Sequence, residues 1–403
     1  MNRIPATTGR STPHNRGGGL YLHIPFCRSL CGYCHFTRTD RHDAPLRRRL
    51  VDGILAEFSL RRGHCATLRQ GCRSVATVYV GGGTPSVLEP PLLQRLLQGT
   101  LGKLPAAKSV EITVEANPEN FTTELADAWL AAGVNRISLG IQSFDERVLA
   151  RLDRRCSPAK ARRSLQLACQ RFPRVAADWM VGPGVNRKVL LRELQQAVAL
   201  GVEHISVYIL ELHPGTPLAA AVQARRVVMP AADRIEGIYL AAVAALAELG
   251  LYQYEVSNFA RPGCESRHNQ RYWLGYPYLG LGPGAHGYWG RRRYANLTSI
   301  AQYLAAVDQG RIPEAWHDPL PLAARRLEHI LLRLRMREGI ALERLPTGAL
   351  DLNAGTEAGW WRLQAGRLCL TASGFLRIDS IVETLARALS APPPRASGRT
   401  GPG

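Results

Sequence analysis

The run Leu20-Tyr-Leu-His-Ile-Pro-Phe-Cys27-Arg-Ser-Leu-Cys31-Gly-Tyr-Cys34 joins a short apolar strand, Leu20–Ile24, to a loop bearing three cysteines. Five further strand-like runs follow it: Thr77–Val80, Val110–Ala116, Arg136–Ile141, Val175–Val181 and His204–Leu210. They are short and rich in Val, Ile and Tyr, as parallel strands buried on both faces are. Helical patterns lie between and after them, at Leu46–Leu60, Pro90–Leu101, Thr123–Ala132, Lys188–Leu200 and Ala231–Leu249. Pro90 suits a first helical turn. Gly133, Gly201 and Gly250 stand where helices stop. Six alternating βα units predict an α/β fold with a parallel sheet and helices outside it. Right-handed crossovers would curl that sheet into a barrel or part-barrel.

Beyond residue 250 the rhythm breaks. Tyr252–Tyr294 is dense in Gly, Tyr and Trp and is expected to be ordered functional loop. From Pro321 the pattern turns helical, with Leu327, Ile330, Leu331 and Leu334 on one face and Gly339 as a stop. Trp361–Leu363 and Arg367–Thr371 predict a hairpin around Ala365-Gly366, and a last helix spans about Ser380–Leu389. That order suggests a small helical, winged-helix-like domain. The expected organisation is a disordered lead-in at 1–19, the barrel at 20–250, a loop region at 251–300, a C-terminal domain at 301–390 and a disordered tail at 391–403.

Composition narrows the functional classes. At 403 residues the chain can bury a full core, and its 46% apolar content is that of a globular protein. No apolar run is long enough to span a bilayer, and residues 1–19 lack the apolar core of a secretory signal. The net charge of +19 invites a nucleic-acid reading. However, Arg greatly outnumbers Lys and is spread along the whole chain with no recognised binding module, so no nucleic-acid partner is expected. A peripheral contact with an anionic membrane surface is compatible with the charge, although nothing anchors the chain. Nine cysteines, three of them clustered, argue against a disulfide framework and for a reducing, cytoplasmic setting.

The clustered cysteines carry the chemistry. Their Cys-x3-Cys-x2-Cys spacing lets three thiolates from one loop hold three irons of a cubane cluster. The fourth iron is then open to a small molecule, as open zinc sites are. An open iron can chelate an amino acid through amine and carboxylate, and S-adenosylmethionine (SAM) has both. The competing assignment is zinc, with His35 or His23 as fourth ligand. The loop sits at the C-terminal end of a barrel strand, where barrel active sites lie. The second strand ends in Gly81-Gly-Gly83-Thr84-Pro85, which lets backbone approach a ligand closely. The third ends in Glu115-Ala-Asn117-Pro118, whose carboxylate can take ribose hydroxyls or an amine, or pair with one of the many arginines.

The Cys loop, the Gly-Gly-Gly-Thr-Pro turn, Glu115-x-Asn-Pro, Leu139-Gly-Ile-Gln142-Ser-Phe and Asp178 together resemble the radical SAM family of HemN and HemW. The match runs over about residues 20–380. The resemblance implies a partial (β/α)6 TIM-like barrel with a smaller C-terminal domain. It implies a [4Fe-4S] cluster on Cys27, Cys31 and Cys34, and SAM contacts from Tyr21, Tyr33, Gly83, Thr84, Glu115, Gln142, Arg154 and Asp178. One departure is the sequence after Asp178, Trp179-Met-Val-Gly182-Pro-Gly184, where the family has Gly-Leu-Pro-Gly.

That family has two branches. One is an oxygen-independent coproporphyrinogen III oxidase; the other is a haem chaperone that passes haem to acceptor proteins. The oxidase has a fourth Cys two positions after the third, and here that position is Phe36. The chaperone branch has His-Asn-x-x-Tyr-Trp, intact here as His268-Asn269-Gln270-Arg271-Tyr272-Trp273. The resemblance therefore implies a haem chaperone, with the oxidase as the alternative. Haem-acceptor proteins, respiratory cytochromes among them, and an electron donor are the implied partners. Imidazole is a common haem ligand, so His268 is the candidate, with Asn269, Tyr272 and Trp273 beside it. Tyr272 and Trp273 would pack on the macrocycle, and Arg271 and Arg291–Arg293 would pair with its propionates. His286 is a second candidate ligand. Without the resemblance, spacing alone favours His268 as a structural histidine among loop aromatics.

Overall fold

Near-continuous buried runs in six segments give six parallel strands: β1 (Gly18–Ile24), β2 (Val75–Gly82), β3 (Ala106–Ala116), β4 (Arg136–Gln142), β5 (Val175–Val181) and β6 (His204–Ile209). The structure, a computed structural model, describes residues 17–64, 74–290, 292–318 and 321–390. The expected lead-in up to residue 16, the tail from 391 and Arg291 lie outside the described residues. In the six strands Leu22, Ile24, Val78, Val80, Val114, Ile137, Leu139, Ala177, Trp179 and Val181 are fully buried. Helices Ala44–His64, Pro90–Thr100, Thr123–Ala131, Arg187–Ala199 and Ala232–Glu248 fall where the sequence predicts them. Two more, Glu146–Arg151 and Pro158–Arg171, lie between β4 and β5. Their starts carry the capping signal: Asp145 accepts from the Arg147 amide and Ser157 from the Lys160 amide.

The segment 251–300 is not loop, which corrects that expectation. It supplies β7 (Tyr252–Gln253), β8 (Asn258–Ala260), β9 (Tyr278–Leu281), β10 (His286–Trp289) and β11 (Arg292–Asn296), and β12 (Glu314–Asp318) follows. These are strands of two to five residues, too short for a periodic pattern and fixed by their neighbours' hydrogen bonds. They extend the sheet on both sides. The full order is β12-β11-β10-β9-β1-β2-β3-β4-β5-β6-β8-β7, an open sheet rather than a closed barrel. The departure after Asp178 leaves β5 intact through Val181.

A buried polar network ties the first helix to the late strands. Arg61 donates to Glu57 (2.7 Å), Glu314 (2.8 Å) and Asn296 (2.8 Å). Glu57 in turn accepts from Tyr303 (2.6 Å), Asn296 (2.8 Å) and the Gly282 amide (2.9 Å). Every acceptor site of this fully buried carboxylate is thus used, which is what permits its burial.

Residues from Pro321 form a second compact unit. It has helices Leu322–Leu334 and Ile378–Ser390 and a three-stranded sheet of β13 (Ile340–Ala341), β14 (Trp361–Gln364) and β15 (Arg367–Leu370), with β15 central. The β14–β15 hairpin turns at Ala365-Gly366, both at positive φ. No helix among the described residues is long and apolar enough to cross a membrane.

Candidate functional site

The C-terminal ends of β1–β6 surround one cavity of about 410 Å³. Cys27, Cys31 and Cys34 all line it. Their loop is fastened from outside. The Cys27 amide donates to the Thr39 carbonyl (2.9 Å), Arg38 donates to the Cys31 carbonyl (2.9 Å), and His42 Nε2 lies 3.0 Å from the Cys27 carbonyl. The three thiols are free, and burial pushes Cys27 up to about 11. Among the described residues no three His, Cys, Asp or Glu side chains gather round a point the size of one ion. Tetrahedral zinc needs such convergence. A cubane does not, because each thiolate takes a different iron. His23 is unsuited to be a fourth zinc ligand: its ring nitrogens lie 3.0 Å from the Tyr21 hydroxyl and 2.8 Å from the Thr37 carbonyl.

Tyr33, Gly83, Thr84, Glu115, Gln142, Arg154 and Asp178 line the same cavity and form its polar wall. A Cβ at Gly83 would lie 2.8 Å from the Phe26 carbonyl oxygen and 3.0 Å from Cys27 Sγ, so glycine is what lets this turn meet the cysteine loop. Thr84 Oγ1 contacts Cys27 Sγ at 3.5 Å and accepts from Asn117 (3.0 Å). Arg154 donates to Asn117 (3.0 Å), to the Gly140 carbonyl (2.7 Å) and to Cys31 Sγ (3.5 Å), placing a buried cation beside a cluster thiol. Gln142 has φ 66 although it is not glycine. Among the described residues its buried side-chain oxygen has no hydrogen-bond partner, an arrangement suited to a ligand's donor. Tyr21 does not line the cavity; it stands behind the wall, stacked on Tyr79.

Two carboxyls share the space. Glu115 accepts from the Tyr79 hydroxyl (2.7 Å) and the Gly82 amide (3.2 Å). Burial pushes Glu115 up to about 7; Tyr79 opposes the shift and Asp178 adds to it. Burial also pushes Asp178 up to about 6, against hydrogen bonding from Ser206 and the charge of Arg154. A buried pair of this kind, held above the ordinary carboxylate range, is stabilised by a cationic ligand.

Asn117, Arg38 and Tyr79 belong to this structure but were not singled out as separate site residues. The signal for Tyr79 was available. Tyr21 and His23, Thr77 and Tyr79, Thr113 and Glu115, Ser138 and Gln142, and Ser206 and Tyr208 recur at even spacing along successive strands. Even spacing puts them on one sheet face.

The His268 motif lies elsewhere. It forms the helix Arg267–Leu274, which crosses the N-terminal ends of β2 and β3. Glu111 accepts from the His268 amide (2.9 Å) and the Arg267 amide (3.2 Å). The His268 ring is fully buried, with Nδ1 2.8 Å from Thr77 Oγ1 and Nε2 3.0 Å from the Tyr272 hydroxyl. In this arrangement neither nitrogen is available to iron. Burial, with the Arg271 charge adding to it, holds the ring down to about 3, so it is neutral. Tyr272 packs edge-on against Tyr278, Trp273 hydrogen-bonds Glu255, and the Asn269 amide caps on Ser266. Arg271 is also fully buried and donates to the Gly17 carbonyl. Thr77 and Gly82 are five strand residues apart, so this helix and the cavity are separated by roughly 16 Å of sheet at ~3.3 Å per residue. His286 is exposed on β10, edge-on to Trp316.

The radical SAM superfamily profile matches residues 21–197. A Mycobacterium tuberculosis protein named heme chaperone HemW is 38% identical over 372 residues, 91% of this chain and 94% of the relative. The chain belongs to the HemW family. The HemW of Bacillus subtilis is 32% identical over 328 residues, 80% of this chain and 85% of its own length. The solved structure of Escherichia coli HemN, a coproporphyrinogen III oxidase described as a radical SAM enzyme, superposes with a TM-score of 0.77. That likeness covers 93% of this chain and 91% of the other at 22% identity, and shows the fold. In this HemW-family chain Phe36 is 59% exposed beside the cysteine loop.

Proposed function

We propose that this HemW-family chain is a haem chaperone of the cytoplasm that binds haem and transfers it to acceptor proteins, respiratory cytochromes among them. It would hold a [4Fe-4S] cluster on Cys27, Cys31 and Cys34. SAM would bind against Tyr33, Gly83, Thr84, Glu115, Gln142, Arg154 and Asp178, with Tyr21 supporting the wall from behind. When bound, the cluster supplies single electrons, drawn from a separate donor, and one iron with an open coordination position.

The observation that supports this most is the joining of three free thiols to that polar wall in one cavity, in a chain of this family. Gly83 allows close approach of backbone, and Arg154 donates a hydrogen bond to Cys31 Sγ. Gln142 offers an unmet acceptor. Glu115 and Asp178 offer carboxylates to a cationic sulfonium or ammonium. Phe36, standing where the oxidase has its fourth cysteine, speaks against the oxidase.

The test is anaerobic reconstitution followed by haem titration. Iron and sulfide in the proportions of one [4Fe-4S] cluster per chain, and stoichiometric haem uptake seen as a Soret band, are expected. Zinc in place of iron, no haem uptake, or catalytic conversion of coproporphyrinogen III with SAM and a reductant would each overturn the proposal.

A further inference from the structure

We infer that haem docks at the mouth of the cluster cavity, with its iron taken by one imidazole of the stacked pair His35 and His213. This site rests on the haem-binding function proposed above and gives it a place that His268 does not. The cavity, at about 410 Å³, is at the lower end of single-ligand pockets. A cluster and SAM would fill it, so a macrocycle must lie outside, at the rim.

The rim has the chemistry a macrocycle needs. His35 follows directly on Cys34, and His213 lies just past β6; both line the cavity. Their ring centroids are 3.5 Å apart, with planes inclined by 36°. No hydrogen bond within the described residues engages either ring; His213 Nε2 has only Glu211, at 3.8 Å. Both imidazoles therefore keep nitrogens to offer, in contrast to the fully engaged ring of His268. Large apolar side chains are left in water here: Phe36 (59% exposed) and Tyr208 (38%) line the cavity, and Leu212 (38%) immediately precedes His213. The Phe36 ring centre lies 5.0 Å from that of His35. Apolar groups gathered at a cavity mouth mark a binding surface, and a flat aromatic face suits a porphyrin. Arg38 lines the same wall, and its buried Nε lacks a hydrogen-bond partner among the described residues, which suits a propionate. Imidazole pair, apolar rim and cation together fit an iron porphyrin with carboxylate side chains.

The experiment compares full-length, cluster-reconstituted wild type with the double variant His35→Ala/His213→Ala, titrated anaerobically with ferric haem. Cluster content and SAM binding are measured alongside. The double variant should bind haem at least about tenfold more weakly and lose the imidazole-ligated Soret position, with cluster and SAM unchanged. Added imidazole should restore the spectrum. A double variant with wild-type affinity and Soret position overturns the site while leaving the proposed function standing. Wild type that takes up no haem overturns that function, and the site with it. Should the double variant fail to hold its cluster, Phe36→Asp decides. It removes neither imidazole nor a thiol, and unchanged haem affinity in it overturns the site.

Discussion

Replacing His268 by Ala separates a structural histidine from a haem ligand, because the two roles predict opposite outcomes. The ring is fully buried and bridges Thr77 on β2 to Tyr272 on its own helix. Removing it orphans the Thr77 hydroxyl, which is itself fully buried. That loss costs about 1–3 kcal/mol. The Tyr272 hydroxyl is less buried and loses less, on the order of 0.5–1.5 kcal/mol. The vacated ring volume, walled by Tyr79 at 5.2 Å, adds a cavity penalty on the order of 1–2 kcal/mol. These terms overlap, so we expect a loss of about 3–5 kcal/mol, a large share of a typical folding free energy. His268→Gln keeps an acceptor and should lose about half of that. The assay is urea unfolding of cluster-free protein followed by tryptophan fluorescence, with Trp129 and Trp179 buried in the same unit. Haem titration of the folded variant should match wild type. The neutral ring also carries a pH signature. Its folded pKa of about 3 lies below the ordinary 6.5, so as pH falls below 6.5 the unfolded ring takes a proton that the folded ring refuses. Stability from this residue is thus present above pH 6.5 and lost towards pH 3, and His268→Ala should flatten that decline. A variant as stable as wild type that no longer binds haem would refute the structural assignment.

Gly83→Ala should lower stability by about 1–3 kcal/mol and reduce iron uptake on reconstitution, since the new Cβ meets Pro25, Phe26 and Cys27. The same change at Gly237, mid-helix with nothing within 4 Å of the added carbon, should be neutral or stabilise by up to about 1 kcal/mol, read in the same urea series. For SAM binding, Glu115 is neutral well below pH 7 and ionised above it. Calorimetry should therefore show affinity rising with pH from about 5.5 to 8, and Glu115→Gln should weaken binding and flatten the slope; an unaltered slope would remove Glu115 from the ligand's charge partners. The shift also gives apo-protein a stability component that is present at low pH and lost as pH rises towards 7, and Glu115→Gln should abolish it in urea unfolding.

The parallel sheet was legible because β1–β6 are long enough to show near-continuous apolar burial. The edges were not. Two residues of β7 and three of β8 carry no period of their own, and their conformation comes from pairing, β8 with β6 and β7 with β8. The cysteine loop was legible from spacing, and the strand-end motifs from their order. What sequence could not supply is contact. His35 reads only as a neighbour of Cys34, and nothing in the linear chain brings His213 to it. The His268 motif shows the converse problem. Its residue types suit haem, but Thr77, Glu111 and Glu255, which engage it, lie far away in sequence or on another element. Tyr21 likewise matched a family contact by position, and the structure puts it behind the wall.

The Glu57 carboxylate has a consequence for the chain's synthesis. Two of its hydrogen-bond donors, Asn296 and Tyr303, lie 239 and 246 residues downstream. At ~5–20 residues per second on the ribosome, the first helix waits roughly 12–49 s before those donors exist. Until then a polar carboxyl side chain has no complete set of partners in the position it will occupy, and docking of that helix in its native place is held back. The face of the nascent sheet that this helix covers therefore stays unfinished until nearly three quarters of the protein has been made, which makes that interval the window in which a holding chaperone would be needed.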